Sequence, residues 1–177
     1  NKLGDLKLSP ISTLLSKIPE STNITELKSI IKDILDKFKS AQKEENANAN
    51  DTTITAQKIV DWEILDVLSR LIKPKNPPLI KEGAMLLINN LAQFFNNKNP
   101  QEAFLLPFFE LALELMADKD NNVKRAAQHS IDALLITFPV ECLPSSVLPV
   151  ILKYLSSGAK WQSKLAALGI VDRIRED

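Results

Sequence analysis

Three short blocks of similar sequence recur at nearly equal distances along the chain. Each block reads Lys, any residue, a small residue and Ala, and the blocks begin at Lys81, Lys124 and Lys164. The distance is 43 residues from the first lysine to the second and 40 residues from the second to the third. Positions 7 and 10 after each lysine are apolar, so on a helix they extend the face that carries the small pair. Each unit must bury that face against its neighbours, because it cannot form a core alone.

The length of the unit identifies the architecture. A period of about 40–47 residues with two helices per unit is typical of HEAT and armadillo solenoids. Strand signals are weak, since no run of β-branched or aromatic residues alternates cleanly with polar ones. The sequence therefore predicts an all-α HEAT-repeat solenoid of about eight helices in antiparallel hairpins, with no sheet. In each unit the small pair allows the first helix to approach the second closely.

Breaks in the helical pattern divide the chain into three parts. Residues 1–40 are predicted to form an N-terminal helical hairpin, either a cap or a degenerate repeat. Asn23 and Glu26 form a capping arrangement at the start of its second helix, whose apolar face is predicted to run from Ile24 to Phe38. The polar, low-complexity residues 41–55 are predicted to be a flexible linker or loop. Residues 56–177 are predicted to hold three HEAT repeats, at about 56–97, 101–138 and 145–177.

Helical periodicity also places the helices of the three repeats. The first repeat is interrupted by the proline-rich turn around Pro74, and the second is preceded by a break that ends at Pro100. The predicted helices span about 56–72, 79–95, 101–117, 121–138, 145–156 and 159–175.

Composition excludes several classes of function. The formal net charge is zero, so no overall attraction to DNA or to a membrane surface is expected. No apolar run approaches the roughly 20 residues of a membrane span. Four scattered glycines cannot supply a phosphate-binding P-loop, and Cys142 has no Cys or His neighbour at the spacing of a zinc site. The lone His129 is predicted to be a packing or hairpin-facing residue rather than a ligand or a catalytic base. We expect no catalytic residue, metal site or cofactor in this segment, and we expect it to be monomeric and cytoplasmic, since one cysteine suits a reducing compartment.

The turns between helices carry the candidate binding residues. Equivalent turns of a solenoid line one edge, so their cations are predicted to form a stripe. Such a stripe suits RNA phosphate or an acidic protein surface, while an ordinary solvated edge is the simpler alternative. The candidates for binding a partner are Lys73, Lys75, Lys81, Lys119, Lys124, Arg125, Lys160, Trp161 and Lys164.

A tryptophan lies between two of these lysines in the third repeat. Trp161 precedes the repeat lysine by three residues, where the other copies have Pro78 and Asn121, so the repeat itself does not require a ring there. We expect Trp161 to be a partly buried anchor that pins the turn onto the next unit, with a direct contact to a partner as the alternative. Gly158 is expected to end the preceding helix as a C-cap.

Four stretches of the sequence carry a resemblance to a known family. They are SPISTLLSKIPE, LIKPKNPPLIKEGAMLLINNLAQFF, NVKRAAQHSIDALL and VLPVILKYLSSGAKWQSKLAALGIVDRIRED, and Lys160-Trp161-Gln162 with Lys164 is the most specific piece. They resemble the N-terminal HEAT region of the fungal elongation-factor-three family of ABC-F ATPases. The closer resemblance is to the paralogue with a prion-like, Asn/Gln-rich N-terminal tail. The likeness spans roughly residues 6–177.

The resemblance implies a function and partners that the residues alone do not give. It implies a ribosome-binding module of a translation factor, acting in elongation or in termination and ribosome recycling, with ribosomal RNA and ribosomal proteins as partners. The family's two nucleotide-binding domains would lie downstream, so ATP, Mg and ATPase activity would belong to the full-length protein. The alternative function is a generic protein-binding HEAT scaffold, such as a tubulin-binding array. Enzyme activity of the segment itself is the least favoured hypothesis.

Overall fold

The computed structural model describes residues 10–45, 53–96 and 102–176, and these residues fold into α-helices without a strand. The all-α prediction is confirmed for these residues. The helices are α1 (Pro10–Lys17), α2 (Ile24–Glu45), α3 (Thr53–Asp61), α4 (Ile64–Leu71), α5 (Pro78–Phe95), α6 (Glu102–Leu105), α7 (Pro107–Leu115), α8 (Asn121–Thr137), α9 (Leu148–Leu155) and α10 (Trp161–Glu176). A 3-10 turn at Ile18–Glu20 follows α1, and a 3-10 turn at Val140–Cys142 with a π-helical turn at Leu143–Val147 leads into α9.

The helices form two layers around one continuous apolar core. The second helices of successive units, α2, α5 and α8, lie side by side, and the contact between α5 and α8 is the most extensive in the structure. In the other layer α3 packs on α6, α4 packs on α7, and α7 packs on α9. Helix α10 closes the third hairpin against α9 and also packs on α7. The two layers therefore bring the turns of the three repeats to one edge.

The repeated block occupies the same place in each of three second helices. Its lysine is the fourth residue of α5, α8 and α10, and the alanines that end the blocks, Ala84, Ala127 and Ala167, are fully buried. Gly83 is the small residue of the first block. A Cβ added there would lie 2.9 Å from the Leu27 side chain of α2. The small position thus allows the N-terminal hairpin to approach the first repeat closely.

Two buried hydroxyl groups join α8 to α5. Ser130 Oγ donates to the main-chain oxygen of Met85 at 2.7 Å, and Thr137 Oγ1 donates to that of Ala92 at 2.9 Å. Both donors are buried. Because a buried hydroxyl without a partner costs free energy, each bond requires the two helices to keep this separation and register.

The predicted single helix over residues 56–72 is wrong, because the chain breaks between α3 and α4. Glu63 takes a left-handed backbone conformation, with φ of 53°. The break turns Trp62 onto Phe38 of α2, with the ring centroids 4.8 Å apart in an edge-to-face arrangement. This aromatic contact joins the N-terminal hairpin to the first repeat. Helical periodicity does not reveal the break, since the apolar spacing is the same on both sides.

The predicted linker over residues 41–55 is shorter than expected. Residues 41–45 form the last turn of α2, residues 53–55 belong to α3, and residues 46–52 lie outside the described part of the chain. Polar residues on the exposed side of a helix do not end it, which is why composition overestimated the linker.

Several helix boundaries also differ from prediction. The segment over 101–117 divides at Leu106, because Pro107 starts the new helix α7, and the π-helical turn delays the start of α9 to Leu148. At the start of α2, Asn23 Oδ1 accepts the predicted capping bond from the N–H of Glu26 at 2.9 Å. Ile24 lies outside the buried face that follows, since it is 42% exposed.

A helix must be both long and apolar to cross a bilayer. Among the described residues, no single helix is long and apolar enough to do so. Only one bent pair, Asn121–Thr137 with Val140–Leu155 at 103°, meets the requirements of length and composition.

We expect the substitution Gly83→Val to destabilise the fold. Its first added atom would already crowd Leu27, which is fully buried. Overpacking of this kind costs about 2 kcal/mol of unfolding free energy, to be measured by urea denaturation. Ala166→Val is the matched control, because Ala166 holds the equivalent position in α10 and is partly exposed. The control should lose less than about 1 kcal/mol, and equal losses would contradict the close approach at Gly83.

Candidate functional site

The turns of the three repeats line one groove, which we call the turn groove. Its cavity volume is about 970 Å³, and Lys81, Tyr154 and Ser163 lie among its lining residues. The turns contribute the rest: Ile72, Pro74, Asn76, Pro78, Glu114, Leu115, Ala117, Asp118, Lys119, Asp120, Ser157, Gly158, Ala159 and Lys160. The predicted alignment of equivalent turns along one edge is therefore present. The groove is of mixed charge, since Lys119 and Lys160 share it with Glu114, Asp118 and Asp120.

An almost buried ion pair forms the base of the turn groove. Lys81 Nζ of α5 lies 2.7 Å from Asp118 Oδ2 in the turn between α7 and α8. The two side chains are only 9% and 11% exposed. The pair links the second helix of one repeat to the turn of the next, so it fixes the groove's base across the boundary between repeats.

The carboxylates of the second turn also shape its backbone. Asp118 Oδ1 accepts a hydrogen bond from the N–H of Asp120 at 2.9 Å. Asp120 Oδ1 in turn accepts bonds from the N–H groups of Asn122 at 2.8 Å and Val123 at 3.1 Å, which caps α8. An anion is favourable at a helix N-terminus because the macrodipole is positive there. Asp120 is thus a structural cap as well as a charge in the groove.

Two carboxyl groups near one another have shifted pKa values, Asp118 in this turn and Glu82 in α5. Burial raises the pKa of Asp118, but the hydrogen bonds from Lys81 and from the N–H of Asp120, with the charges of Lys81 and Lys124, outweigh it and leave the pKa below its ordinary value. The pKa of Glu82 is raised by burial and by the negative charge of Asp120. Asp118 is therefore ionised at neutral pH, and its negative charge is paired with the ammonium of Lys81.

A tyrosine and a serine form the far side of the base. Burial raises the pKa of Tyr154, a hydrogen bond with Ser163 lowers it in part, and the charges of Glu114 and Glu110 raise it further. Ser163 Oγ also lies 3.5 Å from the main-chain oxygen of Glu114. These contacts hold α10 against α7, so Tyr154 and Ser163 are neutral hydrogen-bonding groups with a structural role.

The structure separates the nine predicted binding residues by exposure. Lys119 and Lys160 are exposed and line the turn groove, and Lys124 and Lys164 are partly buried outside it. The prediction that Lys81 belongs to an exposed stripe is wrong, because its ammonium is held by Asp118. The remaining candidates are exposed and do not line the groove: Lys73, Lys75, Arg125 and Trp161.

The expected partial burial of Trp161 is not found in this chain. Its side chain is 70% exposed, and Leu165 and Leu168, one and two turns further along α10, are 62% and 49% exposed.

The prediction that Gly158 is the C-cap of α9 is also wrong. Ser156 ends the helix, its N–H and that of Ser157 bond to the last turn, and no described glycine has positive φ. Serine hydroxyls that donate to the last carbonyl groups make a left-handed glycine unnecessary.

Sequence reasoning missed four groups of the site. Asn76 donates two bonds from Nδ2, to the main-chain oxygens of Arg70 at 2.8 Å and Leu71 at 2.9 Å, and thereby closes the end of α4. Asp118, Tyr154 and Ser163 are the others. Tyr154 is the sole tyrosine of the chain, which is the one signal that could have drawn attention to it. The pairing of Asp118 with Lys81 leaves no mark in the sequence, because the two residues belong to different repeats.

The site offers no set of groups for metal chemistry. In residues 10–45, 53–96 and 102–176, no three His, Cys, Asp or Glu side chains converge as metal ligands would. The turn groove is suited to binding a partner, because it offers exposed ammonium groups, carboxylates and apolar walls.

Asp118→Asn is expected to destabilise the chain, because it leaves the Lys81 ammonium nearly buried without a counter-charge. Removing one partner of a buried pair costs about 3 kcal/mol of unfolding free energy, measurable by urea denaturation. Asp66→Asn is the matched control, since Asp66 pairs with Arg70 at 3.2 Å but both side chains are over 60% exposed. It should cost less than about 1 kcal/mol, and a loss as large as that of Asp118→Asn would contradict a special role for the buried pair.

The same variant should show a defined pH dependence. Because the folded pKa of Asp118 is lowered, its carboxylate contributes stability above its unfolded pKa of about 3.9 and loses it as pH falls through the lower folded value. The difference in melting temperature between wild type and Asp118→Asn should be largest at neutral pH and should decrease below about pH 4. A gap that stays constant with pH would show that the carboxylate's charge is not what stabilises the fold.

Comparison with known proteins places the chain in a family. The family model described as EF3 N-terminal HEAT repeat matches residues 39–176. The chain is 59% identical over 176 residues to the [NU+] prion formation protein 1 of Saccharomyces cerevisiae, which covers 99% of this chain and 14% of that protein. It is 30% identical over 128 residues to the mRNA export factor elf1 of Schizosaccharomyces pombe, covering 70% of this chain and 11% of that protein. It is 28% identical over 117 residues to Elongation factor 3 of Gonapodya prolifera, covering 66% of this chain and 10% of that protein.

The family match contains the three repeated blocks and the whole turn groove. The matched region is a HEAT-repeat region rather than a catalytic domain, and the chain spans 14% or less of the length of these relatives. The resemblance inferred from the sequence, including the likeness to a prion-forming relative, is confirmed. The chain belongs to the elongation factor 3 family, as an N-terminal HEAT-repeat region.

Proposed function

We propose that this HEAT region is a ribosome-binding module of a cytoplasmic translation factor, acting in elongation or in termination and ribosome recycling. Family membership supports a role in translation, as does similarity to a protein named elongation factor 3. The observation that carries the proposal is a row of exposed lysines in the three turns, and we call the surface that they form the turn edge. Each repeat contributes at least one of them: Lys73 and Lys75, then Lys119, then Lys160.

The acidic groups of the turn groove only partly offset these cations. The charge of Asp118 is taken up by Lys81, and that of Asp120 is directed at the N-terminus of α8. The exposed lysines have no such partner among the ion pairs of the described residues. The edge therefore presents positive charge to a negatively charged partner, such as ribosomal RNA or an acidic ribosomal protein.

In this proposal the ATPase belongs to other parts of a longer protein. Two ABC-type nucleotide-binding domains downstream would bind ATP and Mg, and the HEAT region would hold them on the ribosome. Tight positioning of a solenoid requires contacts from several repeats, which the alignment of the three turns supplies.

A protein-binding scaffold is the second candidate function. It is favoured by the mixed lining of the turn groove, where Ile72, Pro74 and Leu115 lie beside charges of both signs. Apolar walls with a few polar groups suit a segment of another protein. Tubulin is one partner to test, because microtubule co-pelleting separates this candidate from ribosome binding.

Charge reversal of one lysine per turn should weaken ribosome binding. The variant combines Lys73→Glu, Lys119→Glu and Lys160→Glu in the full-length protein. We expect at least about a tenfold loss of affinity in ribosome co-sedimentation, greatest at low salt, because the lost contacts are electrostatic. The matched control reverses three exposed lysines elsewhere, Lys17, Lys37 and Lys153, and should bind as the wild type does.

Equal binding by the variant and the control across a salt series would contradict the turn edge as the docking surface. If microtubule co-pelleting instead depended on the turn lysines, the scaffold function would replace the ribosomal one.

Trp161→Ala should separate binding from stability. The side chain is 70% exposed, so its removal should change the unfolding free energy by no more than about 0.5 kcal/mol. Ribosome co-sedimentation of the full-length protein should fall, because an exposed aromatic ring between two cations is a strong contact group. Trp62→Ala is the control, since that ring packs on Phe38 and its loss should lower the melting temperature. A large stability loss from Trp161→Ala with unchanged ribosome binding would favour the anchor interpretation.

A further inference from the structure

A second groove lies between α2 and α5 and shares no lining residue with the turn groove. Lys28, Lys32 and Lys39 of α2 form one wall, and in the described part of the chain no Asp or Glu lines it. Its cavity volume is about 530 Å³. The turn groove, in contrast, contains three carboxylates. We call this second surface the α2–α5 groove.

The lysines of this groove share one face of α2. At about 100° per residue, Lys28, Lys32 and Lys39 fall within roughly 40° of one another. Asp36 lies about 40° from Lys32 at the edge of that face, and Asp33 lies roughly 100° away from it. Asp33 and Asp36 line a different, smaller groove against α1 together with Lys37. The one ion pair near the lysines, from Lys39 to Asp36, is long at 3.9 Å and exposed. The α2–α5 groove therefore keeps its positive charge.

This arrangement does not stabilise the helix. Like charges four residues apart, as in Lys28 and Lys32, disfavour a helix slightly. Lysines beside a core can extend their stems over apolar residues, but that packing does not require the carboxylates to be kept away. The lysines that line the groove are complementary in charge to an anionic ligand.

The opposite wall of the groove, formed by α5, carries groups that can contact nucleobases. Helix α5 contributes Asn90 and Gln93, and each uses one amide donor within its own helix, to Leu86 at 2.7 Å and to Asn89 at 2.6 Å. An amide side chain has two donors and an acceptor oxygen, so each can also bond to a base edge. Phe94 adds a partly exposed aromatic ring at the same wall.

We propose that the α2–α5 groove binds single-stranded or unpaired RNA. The lysines extend along about 16 Å of α2, the length of a few nucleotides, and would neutralise phosphates. Phe94 would stack on a base, and the amides would contact base edges. Cations along the backbone with an aromatic platform and amides are the features of single-strand binding sites. This site is distinct from the turn edge and does not depend on ribosome docking there.

The test measures binding of a labelled, short single-stranded RNA of mixed sequence to the full-length protein by fluorescence anisotropy in a salt series. The variant Lys28→Gln, Lys32→Gln, Lys39→Gln should bind at least about tenfold more weakly at low salt. Its plot of log affinity against log salt should be shallower by about 2, since each single-strand phosphate contact contributes about 0.7. The matched control Lys17→Gln, Lys37→Gln, Lys153→Gln should change neither quantity.

A second variant tests the aromatic platform independently of charge. Phe94→Leu keeps an apolar side chain beside Phe38 and Phe95 but removes the ring. It should lower RNA affinity by about tenfold and leave the salt slope unchanged. Circular dichroism confirms that each variant is folded.

Three results would overturn the proposal. The first is RNA binding by the lysine variant equal to that of the control. The second is an effect of Phe94→Leu on folding but none on RNA affinity. The third is competition by polyglutamate as effective as competition by RNA, which would assign the groove to an acidic protein. Because the turn-edge lysines are intact in these variants, a failure here leaves the ribosome-docking proposal standing, and the reverse also holds.

Discussion

The close contact between α5 and α8 is the constraint on which the rest of the structure depends. Across this contact the hydroxyl groups of Ser130 and Thr137 donate to main-chain oxygens of α5. A buried hydroxyl must find its acceptor, so these bonds fix both the distance and the register of the helices. The register sets where the turn before α8 lies relative to α5. It is therefore what brings Asp118 within 2.7 Å of Lys81.

The lysine of the repeated block has a different environment in each copy, although its helical position is the same. Lys81 is buried against Asp118, and Lys124 is partly buried where its charge also acts on Asp118. A cation near a helix N-terminus is unfavourable unless an anion offsets it. The turn between the second repeat's helices supplies that anion. The turn before α10 contains no carboxylate, so Lys160 and Lys164 add their charges to the edge without compensation. The first turn likewise carries Lys73 and Lys75 without a carboxylate, so the second turn is the one of mixed charge.

The fold was more predictable than the site, for a physical reason. Helix type and repeat length depend on residues close in sequence, so α5, α8 and α10 were placed within a few residues. The break at Glu63 was not predicted, because it depends on the contact of Trp62 with Phe38, a residue of another helix. The prediction of the site failed for the same reason. Lys81 was expected to be exposed, since its counter-charge lies 37 residues further along the chain.

Gly158 and Trp161 show the opposite error, in which a local signal was given too much weight. A glycine after a helix suggests a left-handed cap, but serine hydroxyls already satisfied the last carbonyl groups. A tryptophan suggests burial, but the helix turned its ring outwards. Both residue types are compatible with more than one environment, and neighbouring side chains decide between them.

A chain with zero net charge exerts little attraction at long range, so its recognition depends on local groups. At physiological salt, exposed charges interact over only about 8 Å. The turn groove and the α2–α5 groove share no lining residue, and among the described residues the charges of the first are of both signs whereas those of the second are lysines. The family match begins at residue 39, so Lys28 and Lys32 lie outside it, whereas the turn groove lies inside. Lys39 and the α5 wall of the second groove lie inside the match as well, so the match covers only part of that groove.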